Sequence, residues 1–168
     1  MMETKLHWID GPWPGKLALS ARPRGGEWLE EEIAVWRRSG VDIVLSLLTA
    51  EEEHDLDIAD ERAESMAKSI NFISFPIPDR EVPASEAGFN QLIEQIDRDL
   101  AGSRNVVVHC RQGVGRTGLV AACLLLKHGI DPETAVQKLS AARGTAVPET
   151  EQQRRWIDHY AERFAVAP

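Results

Sequence analysis

A chain of 168 residues, 43% hydrophobic and 27% charged, has enough apolar material to bury one core and too much to remain disordered. Its 19 basic residues against 27 acidic leave a formal charge of -8, which disfavours nucleic acid, anionic membrane and other polyanions as general partners, so any anion must be captured locally. The longest apolar run, 119–126, is too short to span a bilayer and the opening residues lack a signal-peptide core, so the expected location is cytoplasmic.

A single domain over 1–168 is expected, with no internal repeat or low-complexity linker. Residues 8–14, rich in Trp, Gly and Pro, lead into a short first strand over 16–20, and 22–26 reads as a loop. From Glu27 the positions Leu29, Ile33 and Trp36 fall at helical spacing until Gly40 stops them, and 41–48 follows as a mostly buried strand. Thr49 can cap an acidic turn, Glu51 to Asp55, ahead of a helix that includes Ile58, Ala59, Ala63 and Met66. Acidic residues suit a helix start through its dipole, so this run reads as a solvated face and not as a metal site.

A strand over 71–75 runs into 76–83, where three prolines in eight residues exclude regular structure and stiffen a loop. Ser85 caps a long helix carrying Phe89, Leu92, Ile93, Ile96 and Leu100, ended by Gly102. A strand of three valines, 106–108, precedes a helix that starts near Arg116. Asp131 and Pro132 open the next helix, which buries Ala135, Val136 and Leu139. Residues 143–148 connect to a last helix from about Glu149 that carries Trp156, Ile157, Tyr160 and Phe164, of which Trp156, Tyr160 and Phe164 are expected to pack it against the sheet. His7, His128 and His159 stand at no ligand spacing, so no metal is expected, and Cys123 reads as core.

Chemistry concentrates between the valine strand and the helix after it. Gly113 and Gly115 let the backbone turn so that N–H groups of Arg111, Gln112, Gly113, Val114, Gly115 and Arg116 face one centre, where the dipole of the following helix also points. That cradle suits a tetrahedral oxyanion and favours a thiolate at Cys110. Arg116 can make two parallel hydrogen bonds to phosphate oxygens. Attack of the Cys110 sulfur on phosphorus gives a cysteinyl-phosphate; the leaving oxygen then needs a proton, and the hydrolytic water must lose one. Asp79, in the proline-framed loop at a strand end, is the candidate carboxyl, with Glu81 in reserve, and Thr117 can give its hydroxyl to the sulfur. Cys123 lies about 10 Å along the helix from Arg116, beyond disulfide reach of Cys110, so both thiols are expected reduced.

The spacing His109-Cys110-x5-Arg116-Thr117-Gly118 resembles the phosphate-binding loop of cysteine-dependent protein tyrosine phosphatases. With the Asp79 loop and the small size, the chain is similar to the compact atypical dual-specificity and kinase-associated phosphatases, most strongly over 105–128 and most weakly over 49–70. The resemblance implies an α/β fold with a central mixed, mostly parallel sheet flanked by helices on both sides, in agreement with the element order. It makes Cys110 the nucleophile, Arg116 the phosphate clamp, Asp79 the general acid and base, Thr117 a helper hydroxyl and His109 a support for the loop, with no cofactor. Small members carry a glutamine at the start of the last helix that orients water; Gln152 and Gln153 both match the place, and Gln152 is the expected residue. Lipid and inositol phosphate phosphatases of the superfamily carry lysines in the loop, where this chain has only Arg111. The expected substrate is therefore a phosphorylated protein or peptide, with phosphotyrosine and then phosphoserine or phosphothreonine as targets. A phosphoinositide or inositol phosphate phosphatase and a non-catalytic phosphoprotein-binding module are the alternatives.

Overall fold

In the computed structural model, which describes residues 4–165, five strands form one sheet: β1 (His7–Ile9), β2 (Leu17–Ser20), β3 (Ile43–Ser46), β4 (Asn71–Ser74) and β5 (Val106–His109). Their order is β1-β2-β5-β3-β4, and only β1 runs antiparallel to its neighbour. The helices are α1 (Leu29–Arg38), α2 (Ala50–Asp55), α3 (Glu61–Ala67), α4 (Glu86–Ala101), α5 (Gly115–Leu126), α6 (Pro132–Arg143) and α7 (Glu151–Ala161).

β2, β3 and β5 are buried along their whole length, as parallel strands covered on both faces must be. Their alternation sorts side chains into two cores. Leu17, Leu19, Ile43, Leu45, Val106 and Val108 form one cluster with buried residues of α4, α5, α6 and α7. Ala18, Val44 and Val107 face Leu29, Ile33 and Trp36 of α1, together with Ile58 and Ile70. The mixed sheet with helices on both sides is thus as expected.

Local chemistry fixes most of the helix ends. The Ser85 hydroxyl accepts from the Gly88 N–H at the start of α4, and the Asp131 carboxylate accepts from the Thr134 N–H with Pro132 in the first turn of α6. Gly144 closes α6 at φ +83, a left-handed conformation that glycine adopts without steric cost.

Three elements differ from expectation. β1 is absent from the sequence reading because three residues are too few to show an alternation; its ladder, His7 to Leu19 and Ile9 to Leu17, exists only because β2 is there to pair with it. The acidic turn that Thr49 caps is itself a short helix, α2, and the helix expected through Ile58, Ala59, Ala63 and Met66 begins only at Glu61 as α3, with Asp57 at φ +57 and the fully buried Ile58 in the break between them. α3 turns inward the side that looks polar, burying Glu61 and Ser65 while Met66 stays 64% exposed. Finally, α7 packs on α4 and α5, not on the sheet: Phe89 of α4 meets Trp156 and Tyr160 with ring centroids 4.6 and 5.4 Å away, and Phe164 extends the cluster from Tyr160.

The ladder aligns Ser20 and Ser46 with His109, so the parallel strands end together and their following loops converge at one edge. The inverted burial of α3 is directly testable. Met66→Gln is expected to leave the urea unfolding free energy within about 0.5 kcal/mol of wild type, whereas Ser65→Leu, which overfills a closed slot, should lower it by about 1–3 kcal/mol.

Candidate active site

The loop between β5 and α5 is held open from behind. The Arg22 N–H, just past β2, donates to the Arg111 carbonyl at 3.2 Å. Arg143, the last residue of α6, donates from Nη2 to the Gln112 carbonyl at 2.9 Å and from Nε to the Gly113 carbonyl at 3.1 Å. In a trans peptide the C=O and the next N–H point opposite ways. Drawing three successive carbonyls outward therefore turns the N–H groups of Gln112, Gly113 and Val114 inward. Gly113 makes this possible: its φ is +74, and a Cβ there would lie 2.4 Å from the Ser20 backbone.

Cys110 is 3% exposed and accepts a hydrogen bond from the Thr117 hydroxyl, Oγ1 to Sγ 3.1 Å. His109 sits wholly buried below it. One ring nitrogen meets Glu61 Oε2 at 2.6 Å and the other faces the Cys110 carbonyl at 3.2 Å, with the Trp36 ring alongside. The buried imidazole thus has a carboxylate partner, which explains why α3 buries a glutamate.

Arg116, 1% exposed, is the most heavily bonded side chain of the site. Its two terminal nitrogens grip Glu52 as a fork, Nη1 to Oε1 2.7 Å and Nη2 to Oε2 2.9 Å. Nη1 also donates to the Ile77 carbonyl at 2.7 Å, and Nη2 to Asp79 Oδ1 at 3.1 Å. Glu52 reaches Arg111 as well, at 3.3 Å. Reading the acidic run as a solvated face is therefore wrong for Glu52, although Glu51 and Asp55 are exposed as expected. Burial pushes the Glu52 carboxyl up, but hydrogen bonds from Arg116 and the Thr49 backbone, the Arg116 charge and Arg111 outweigh it and bring the pKa down from 4.5 to about 2. For Arg116, burial works against the charge and the Glu52 bonds overcome it, raising its pKa. A signal for Glu52 was present: Thr49-x-x-Glu52 has the form of a capping box, and both of its hydrogen bonds are made.

Asp79 lies in the stiffened loop after β4, its side chain 49% exposed, and lines a cleft of about 30 Å³ with Cys110, Arg111, Gln112, Gly115, Arg116 and Glu149. Glu81 does not line it; its contribution is a carbonyl that accepts from Gln153 Nε2 at 3.2 Å. Gln152 is exposed on α7 and outside the cleft, because the first turn of the helix turns its neighbour inward. Gln153 is fully buried, its Oε1 accepting from the Glu149 and Thr150 N–H groups at 3.1 Å each in a capping box with Thr150. Glu149, expected only as the approximate start of the last helix, lies in the connector before α7 and lines the cleft, which nothing in the sequence signals. A wider groove, about 680 Å³, opens at the opposite end of the sheet beside Trp8, Trp13, Lys16 and Lys138 and contains none of this chemistry. Among the described residues no group of His, Cys, Asp and Glu could hold a metal ion, both cysteines are free, and no helix is long and apolar enough to cross a membrane.

A family model described as "Swiss Army Knife protein, DSP-PTPase phosphatase domain" matches residues 4–164. The chain belongs to this family of dual-specificity-type protein tyrosine phosphatases. A crystal structure of kinase associated phosphatase (KAP), with serine in place of its catalytic cysteine, has the same fold: the TM-score is 0.90 at 22% identity, over 100% of this chain and 99% of that one. Cyclin-dependent kinase inhibitor 3 of Homo sapiens is 34% identical over 92 residues, 54% of this chain and 43% of its own. Protein 197R of Invertebrate iridescent virus 6, named as a tyrosine phosphatase, is 26% identical over 164 residues, 95% of this chain and 58% of its own. The chain thus spans about half the length of these curated relatives.

Two variants probe the supports. Glu52→Gln breaks the charged fork, and turnover is expected to fall on the order of 10²-fold as the guanidinium loses its fixed position. Because the folded-state pKa of Glu52 is depressed, the stability it contributes is complete above pH 4.5 and is lost as pH falls toward about 2. Urea midpoints across that window should fall less steeply in Glu52→Gln than in wild type. Arg143→Ala should weaken inhibition by inorganic phosphate as well as slow turnover, and added guanidinium ion at millimolar concentration should restore part of both.

Proposed function

We propose that this chain hydrolyses phosphate monoesters on proteins, phosphotyrosine foremost, through a cysteinyl-phosphate intermediate. The observation that carries this reading is the meeting of Cys110, Thr117, Arg116 and Asp79 around one small cleft whose rim is made of inward-turned amides.

Phosphate enters where the amides of Gln112, Gly113 and Val114 converge and takes over the Arg116 Nη2 donor now held by Asp79. Glu52 keeps the other side of the guanidinium fixed during the exchange. The Cys110 sulfur attacks phosphorus in line with the leaving oxygen; the S–P bond forms, the P–O bond breaks, and the displaced oxygen takes a proton from the Asp79 carboxyl. Charge gathering on the equatorial oxygens is met by amides already in place. In the second step water attacks phosphorus, Asp79 takes its proton, and the P–S bond breaks. Thr117, donating to the sulfur, stabilises the departing thiolate. Gln153 positions the acid loop through the Glu81 carbonyl, which supports a role for this glutamine in place of Gln152.

A protein substrate is favoured because Arg111 is the only extra cation within the loop, and Glu52 already engages it. Kinase associated phosphatase, whose fold this chain shares, is named for a protein partner.

The test is release of inorganic phosphate from a panel of phosphotyrosine, phosphoserine and phosphothreonine peptides, with inositol phosphates run beside it. Cys110→Ser should abolish turnover while still binding phosphopeptide. Full activity in that variant, or faster release from inositol phosphates than from every peptide, rules the reading out.

A further inference from the structure

Two carboxylates line the cleft, and the mechanism above uses one. The second, Glu149, comes from the connector between α6 and α7, far in sequence from the acid loop. Its Oε1 lies 3.0 Å from where a Cβ on Gly115 would stand, so the carboxylate rests over the first residue of α5, beside the amides of the cradle. Glycine at 115 leaves the room: a methyl group there would meet Gln153 Oε1 at 2.9 Å and the Glu149 Cβ and Oε1 at 3.0 Å. The Glu149 backbone is fixed by its N–H bond to Gln153 Oε1 at 3.1 Å. Its Oε2 meets Arg80 Nη1 at 3.1 Å, and Arg80 adjoins Asp79. Asp79 itself bonds Arg116, whereas Glu149 meets the cleft with no such tie to the clamp.

We propose that Glu149 is a second general acid and base of the phosphoryl-transfer reaction, sharing with Asp79 the proton that goes to the leaving oxygen and the proton taken from water. This rests on the phosphatase reading above. The balance is the same as for Asp79: a protonated Glu149 gives its proton to the oxygen released as the S–P bond forms, and the resulting carboxylate recovers one from the water that later displaces sulfur. Arg80, next to Asp79 in the chain, ties the two carboxyl-bearing segments together on one side of the cleft.

The experiment compares kcat/KM for p-nitrophenyl phosphate, whose leaving group needs little protonation, with that for phenyl phosphate, whose leaving group needs much. Wild type, Asp79→Asn, Glu149→Gln, the double variant and Arg80→Met are measured in one series, with Cys110→Ser as blank. With Arg80→Met as the control for the weakened ion pair, Glu149→Gln removes the capacity to carry a proton while keeping an amide oxygen that can accept from Arg80. It should lose about 10-fold or more on phenyl phosphate and clearly less on p-nitrophenyl phosphate, and the double variant should fall below Asp79→Asn alone. Arg80→Met, which removes only the tie, should change both substrates by the same factor. A Glu149→Gln rate within twofold of wild type on phenyl phosphate, or a loss equal on both substrates and matched by Arg80→Met, overturns the proposal and leaves the phosphatase reading standing. Absence of Cys110-dependent turnover in wild type overturns both.

Discussion

The buried fork between Arg116 and Glu52 is the constraint on which the site depends. A guanidinium at 1% exposure gives up its hydration, and the structure offsets that cost only by filling its donors: two carboxylate oxygens, the Ile77 carbonyl and Asp79. Glu52 can serve because α2 begins where it does. Thr49 ends the extension of β3 and caps the helix, and the same Glu52 oxygen that completes the capping box accepts from Arg116. A helix only six residues long thereby sets the orientation of the Arg116 guanidinium.

The rest of the edge repeats this arrangement, with a group from one crossover supporting a loop from another. Arg143 and Arg22 draw the loop carbonyls back, Glu61 on α3 steadies His109 beneath Cys110, and Gln153 on α7 holds the backbone of the proline-framed loop at Glu81. Each support lies outside the Cys-x5-Arg stretch. A phosphate cradle made from backbone amides has no side chains of its own to define it, so its shape is imposed by what grips its outer surface.

The sequence reveals the parts of this arrangement that local rules govern. The loop glycines, the strand of valines, the caps at Ser85 and Asp131 and the spacing from Cys110 to Arg116 all depend on near neighbours, and all appear where expected. What it conceals depends on partners brought close only by folding. Glu52 and Glu61 look like surface acids because charge at a helix start needs no further explanation, yet each is buried against a basic group 64 or 48 residues away. Gln152 and Gln153 are adjacent and chemically identical, and only the capping box at Thr150 decides which one turns inward. β1 has no signal apart from the strand beside it.

The long span of these contacts bears on how the protein reaches its working form. Arg116 to Glu52 spans 64 residues, His109 to Glu61 48, Gln153 to Glu81 72 and Arg143 to Gly113 30. Each closes a large loop, whose entropy must be spent before the bond repays it. The central strand β5, which pairs with both β2 and β3, lies past the middle of the chain, and α7, which holds the Glu81 carbonyl, lies near its end. Without β5 the sheet reduces to two separate strand pairs, β1–β2 and β3–β4, which leave Glu52 without Arg116, Asp79 without its tie and no cradle. The geometry around Cys110 therefore draws on nearly the whole chain at once, and a fragment that lacks either half of these contacts presents a thiol without the Arg116 guanidinium fixed beside it.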